Sequence, residues 1–97
     1  MLIAIVDVDI MPNKVSETVA ALEKDRAQAL AMPGCLAFRS CALNDHPDKI
    51  VLVEEWKDAE SFAAYKASTA FSEAMATIKP VMVGAPVTRS FISTLVE

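Results

Sequence analysis

Lys49-Ile50-Val51-Leu52-Val53-Glu54-Glu55-Trp56 reads as a β-strand whose central residues, Ile50–Val53, are apolar on both faces. Helices cover only one face of a small antiparallel sheet, so the other face needs a different cover. A second copy of the chain is the simplest one, which predicts a homodimer with two sheets pressed together. Upstream, Asn44–Asp48 is a polar turn, and CLAFRSCAL at 35–43 is a second strand, so the two form an antiparallel hairpin.

The flanks complete the pattern. LIAIVDVDI at 2–10 is a strand broken by Met11-Pro12-Asn13. Asn13 can cap a helix in which Val15, Val19, Leu22, Ala29 and Leu30 recur, and Pro33-Gly34 stops it. After the third strand, Asp58 caps a helix with Phe62 and Tyr65 facing inward. Ser68-Thr69 caps a second helical piece carrying Phe71, Met75 and Ile78, ended by Pro80 and Gly84-Ala85-Pro86. Val87–Val96 is the last strand. The order β-α-β-β-α-β predicts a ferredoxin-like α+β fold with a four-stranded antiparallel sheet, residues 1–97 forming one domain.

Composition agrees with a subunit interface. Of 97 residues, 54% are hydrophobic, above the usual roughly 45–50% and more than one small core absorbs. A net charge of -4 argues against nucleic acid or an anionic membrane as partner. Met1–Val6 reaches Asp7 and Asp9 too soon for a membrane span and carries no basic leader. Cys35 and Cys41 on one strand lie roughly 20 Å apart, too far to bridge, so free thiols and a cytoplasmic setting are expected. One His and two separated Cys offer no metal-ligand cluster.

The candidate site follows from the hairpin. Pairing Leu43 with Ile50 sets Cys41 against Leu52, Arg39 against Glu54 and Ala37 against Trp56. A carboxylate on an apolar face needs a partner, which Arg39 would supply, either as a half-shielded structural ion pair or beside a catalytic Glu54. Trp56 and Tyr65, the only Trp and Tyr, carry polar handles; with Phe62, Phe71 and Met75 they either fill the core or line a cleft for a planar aromatic or quinone-like ligand. His46 in the polar turn reads as solvent-exposed, Asp7 and Asp9 as the solvated end of a strand face, and Cys41 as inert filler unless it lines the cleft.

Pro33-Gly34-Cys35-Leu36, Glu54-Glu55-Trp56-Lys57-Asp58 and the stretch Phe62–Phe71 together resemble the antibiotic biosynthesis monooxygenase family. That group is similar to quinol monooxygenases and polyketide-anthrone oxygenases of the dimeric α+β barrel superfamily. The resemblance implies a homodimer with one cavity per subunit. It further implies oxidation of a phenolic, hydroquinone or polyketide-type aromatic by O2 without a cofactor, with Glu54 and Trp56 at the family's Glu-x-Trp strand end. Tyr65 stands where members carry a His, and Thr69-Ala70-Phe71 replaces a Pro-His-Phe cluster. Asp7 and Met75 stand where haem degraders carry an Asn and a His, which argues against haem. The expected roles are Glu54 as proton acceptor, Tyr65 as donor to the substrate oxygen, Arg39 beside the developing anion, and Trp56, Phe62, Phe71 and Met75 around the ring. A dimeric protein that binds a hydrophobic ligand without turnover is the rival expectation.

Overall fold

The computed structural model describes residues 1–97. Strands β1 (Leu2–Asp9), β2 (Cys35–Ala42), β3 (Lys49–Trp56) and β4 (Val87–Ile92) form one antiparallel sheet in the order β2-β3-β1-β4. Helices α1 (Val15–Ala21) and α2 (Glu23–Leu30) connect β1 to β2, and α3 (Ala59–Lys66) and α4 (Thr69–Ile78) connect β3 to β4. A short 3-10 turn at Lys79–Val81 follows α4. This is the ferredoxin-like α+β arrangement, with every helix on one side of the sheet. No helix is long and apolar enough to cross a membrane.

The period of two along β1 and β3 decides which side is which. Leu2, Ala4 and Val8 on β1, and Ile50, Leu52, Glu54 and Trp56 on β3, are buried beneath the helices. Their neighbours Ile3, Ile5, Val51 and Val53 point the other way and stay half-buried. Both faces of the central strands are therefore apolar, as the run Ile50–Val53 implies.

Helix ends follow local chemistry. The Asp58 side chain accepts a hydrogen bond from Ser61 N at 2.8 Å, and Ser68 Oγ accepts one from Phe71 N at 3.3 Å, so both expected caps are present. Asn13 is not a cap. It takes the left-handed conformation at φ 63°, which Asn tolerates, and Lys14 occupies the cap position without a side-chain bond. The first helix is also interrupted at Leu22, and its inward face is Thr18, Leu22, Asp25 and Ala29, leaving Leu30 exposed. Two of those inward residues are polar, so a reading by apolar spacing rotates the helix. The strand expected over 87–96 ends at Ile92, where Ser93 N bonds Met1 O at 2.7 Å.

The β2–β3 register differs from the expected one by a residue. Ala42, not Leu43, pairs with Ile50, which sets Ser40 against Leu52, Phe38 against Glu54 and Arg39 against Val53. A one-residue slip exchanges the two faces of a strand. The register observed buries the Phe38 ring, 2% exposed, and leaves the Arg39 guanidinium in water. The alternative would bury a charge and expose an aromatic, at much greater cost. A bulge between Cys35 and Ala37 then returns Cys35 to the helix side.

Gly34 makes the turn into β2 at φ 83°, and a Cβ there would lie 2.6 Å from Ser61 Cβ. Gly84 has a similar φ of 76° and open space around it. Gly34→Ala is expected to cost about 2–4 kcal/mol and Gly84→Ala about 1 kcal/mol, compared by urea denaturation. Equal losses would mean that the contact with α3 carries no weight.

Candidate functional site

The helix side of the sheet and helices α3 and α4 enclose a cavity of about 130 Å³. Its walls are almost wholly apolar: Val6 and Leu52 from the sheet, Phe62 and Tyr65 from α3, and Phe71 and Met75 from α4. Apolar cavities of about 150 Å³ take up benzene, so this volume suits a single aromatic ring. Only two lining residues carry formal charge, Glu54 and Lys66.

Glu54 is 3% exposed, on an otherwise apolar strand face. One carboxylate oxygen accepts a hydrogen bond from Trp56 Nε1 at 3.1 Å, across two residues of the same strand face. Burial pushes the Glu54 carboxyl up to about 7, against smaller downward pulls from the Trp56 bond and the Lys66 charge. A group tuned in this way titrates where a general base is most useful.

Around this carboxyl the aromatic residues are layered. Tyr65 stacks on Trp56 with ring centroids 4.9 Å apart and an interplanar angle of 27°. Phe71 and Phe38 meet the Tyr65 ring edge-on, at 5.5 and 6.0 Å. Burial, followed by the charges of Glu54, Asp25 and Cys35, holds the Tyr65 hydroxyl above its ordinary value, so it stays protonated and able to donate. Cys35 also lies close enough to feel Glu54: burial and that charge raise its thiol, keeping it protonated and inert.

Most of the expected site residues meet here, though not in the expected roles. Glu54, Tyr65, Phe62, Phe71 and Met75 line the cavity. Trp56 does not. It is fully buried behind Tyr65, and its contact with the site is the bond to Glu54. Arg39 lies on the opposite face of the sheet, 2.8 Å from Glu55, so the Arg39–Glu54 pair does not exist. The register slip is the reason, and it also turns Cys41 and Ala37 away from the cavity. His46 sits exposed in the hairpin turn near Asp45. Asp7 and Asp9 are not a catalytic pair: they face Arg89 at 3.6 Å and Lys49 at 3.9 Å. Lys66 was legible through its spacing of four from Phe62, and Val6 through its place on the buried parity of β1.

A ferredoxin-like sheet is thus roofed by two helix pairs, with one apolar cavity that holds a single buried acid. Residues 1–77 match the sequence model of the antibiotic biosynthesis monooxygenases, and the chain belongs to that family. Solved structures share the fold. One is a candidate antibiotic biosynthesis monooxygenase from Nitrosomonas europaea, with TM-score 0.88 and 21% identity over 98% of this chain and 100% of that one. Another, from Deinococcus radiodurans and similarly described, has TM-score 0.87 and 12% identity over 100% and 96%. A conserved protein from Methanosarcina mazei Go1 has TM-score 0.85 and 20% identity over 97% and 94%. No protein of curated function matches the chain in sequence.

The raised carboxyl makes a stability prediction with a definite sign. Glu54 binds its proton more tightly in the folded state, so its contribution is complete below its ordinary pKa of 4.5 and is lost as pH rises through about 7. Glu54→Gln keeps an acceptor for Trp56 and removes the titration. Relative to wild type, the variant should gain roughly 3 kcal/mol between pH 4.5 and neutrality or above, measured by urea denaturation across pH. A flat difference would mean an ordinary carboxyl.

Proposed function

We propose that this chain is a monooxygenase that oxidises a single-ring phenol or hydroquinone with O2, the substrate supplying the electrons. The observation that carries this reading is the Glu54 carboxyl, buried in an apolar cavity and poised near 7. Glu54 takes the proton of a ring hydroxyl, and the resulting anion is electron-rich enough to react with O2. One oxygen atom forms a new C–O bond to the ring. The other leaves as water after the O–O bond breaks, accepting two protons from the substrate by way of Glu54. Hydroquinone plus O2 thus gives hydroxyquinone plus water, a balance that routes no step through a metal or organic cofactor. Tyr65 donates a hydrogen bond to the substrate oxygen, and Phe62, Phe71 and Met75 hold the ring. A cavity of about 130 Å³ favours one ring over a polycyclic polyketide.

The proposal includes a homodimer in the cytoplasm. Half-buried Ile3, Ile5, Val51 and Val53 form an apolar layer on the face without helices, next to Phe91 at 47% exposure. The free Cys35 and Cys41 thiols suit a reducing compartment. The cavity lacks a histidine, which favours the second reading, a dimer that holds a hydrophobic ligand without oxidising it.

Oxygen uptake with a panel of hydroquinones separates the two. In the wild type kcat/KM should rise with pH through about 7 and then level, because the unprotonated carboxylate is the active form. Glu54→Gln should lose about 100-fold or more, and Tyr65→Phe about tenfold. Uptake unaffected by either change would remove the catalytic assignment, and binding without uptake would support the second reading. Analytical ultracentrifugation should find a species near twice 10.5 kDa; a monomer at working concentration would contradict the dimer.

A further inference from the structure

Lys66 has no place in the scheme above, yet it is the one cation that lines the cavity. It closes α3, one residue beyond Tyr65, and its Nζ lies 4.5 Å from the centroid of the Phe62 ring. The aliphatic stem therefore runs along the cavity wall and the ammonium is held over an aromatic face. No carboxylate of the chain forms an ion pair with it; the acids that pair with a lysine or arginine do so with other ones, and they are Glu17, Asp25, Glu23, Glu55, Asp9 and Asp7. Arg39, the cation expected beside the anion, faces away.

The two charges of the cavity lie at different depths. Glu54 is buried at the sheet, whereas Lys66 is exposed at the helix surface, and Thr88 and Pro86 line the cavity from the β4 side. A ligand with two unlike ends has one favourable orientation here. An anionic group is repelled from the sheet end by Glu54 and attracted to the solvent end by Lys66, where its desolvation cost is small.

We propose that Lys66 is the specificity-determining cation of the cavity, selecting a single-ring phenol or hydroquinone that also carries a carboxylate directed toward solvent. This inference rests on the proposed ligand cavity, and it adds a substrate class: hydroxylated benzoates rather than neutral quinols. Lys66 acts on binding and orientation and exchanges no proton or electron with the ring.

Isothermal titration calorimetry with hydroquinone and with 2,5-dihydroxybenzoate, which differ by one carboxylate, tests it without requiring turnover. The wild type should bind the benzoate at least about tenfold more tightly, and added salt should narrow that gap. Lys66→Gln should abolish the preference, bringing the ratio of the two affinities to within about twofold of one. Lys66→Arg should retain the preference. Equal affinity of the wild type for both ligands, or a preference that survives in Lys66→Gln, overturns the role of Lys66 and leaves the cavity reading intact. Failure of the wild type to bind either ligand overturns the cavity reading and this inference with it.

Discussion

A carboxyl group under an apolar roof is the constraint on which this structure turns. Placing Glu54 on the buried side of β3 carries a desolvation cost that the Trp56 indole N–H and the Lys66 charge offset only in part. The remaining penalty appears as proton affinity near neutrality. An arginine in hydrogen-bond contact would have relieved the cost and produced an inert, permanently ionised pair. The hairpin register prevents that by giving Arg39 to Glu55 on the other face.

The rest of the fold holds that acid in a small apolar space. Trp56 orients one carboxylate oxygen and supports Tyr65 by stacking, so the layer behind the cavity positions its lining. Helix α4, which supplies Phe71 and Met75, is pinned to α2 through polar contacts. The Thr77 hydroxyl donates to buried Asp25 at 2.7 Å, and Lys24 Nζ reaches Thr77 at 3.1 Å. Asp25 has no solvent-exposed side-chain surface, so the Thr77 hydrogen bond, with Lys24, satisfies a buried acid at this helix contact. The cavity wall is thereby tied to the opposite helix pair. A rigid wall of this kind suits selection of a ligand by size and charge.

Element order was legible because turn residues and capping side chains are local: Pro33-Gly34, Asp58 and Ser68 act within a few residues of themselves, whereas the last strand stops at Ile92, short of the expected Val96. Glu54, Tyr65, Phe62, Phe71 and Met75 were legible because period-two and helical spacing put them on one face. Arg39 lies off its expected face because register depends on a loop length and a bulge, and neither has a strong signature in Leu43–Asp48 or at Leu36. Weighing burial of Phe38 against burial of Arg39 would have selected the observed register. The inward face of the first helix was obscured by Thr18 and Asp25, polar residues that are buried only because Lys14 O and Thr77 accept or donate to them. Strand parity puts Trp56 on the helix side, but its stacking behind Tyr65 is a tertiary relation that spacing does not encode.

The most direct test of the account is the titration of Glu54 itself, followed by the chemical shift of its side-chain carboxyl carbon in 13C-labelled protein, assigned by comparison with Glu54→Gln. The account predicts a midpoint near 7, well above the ordinary 4.5. A midpoint at the ordinary value would contradict it, because an acid already ionised in mild acid would be neither desolvated nor poised to take a proton from a bound ring.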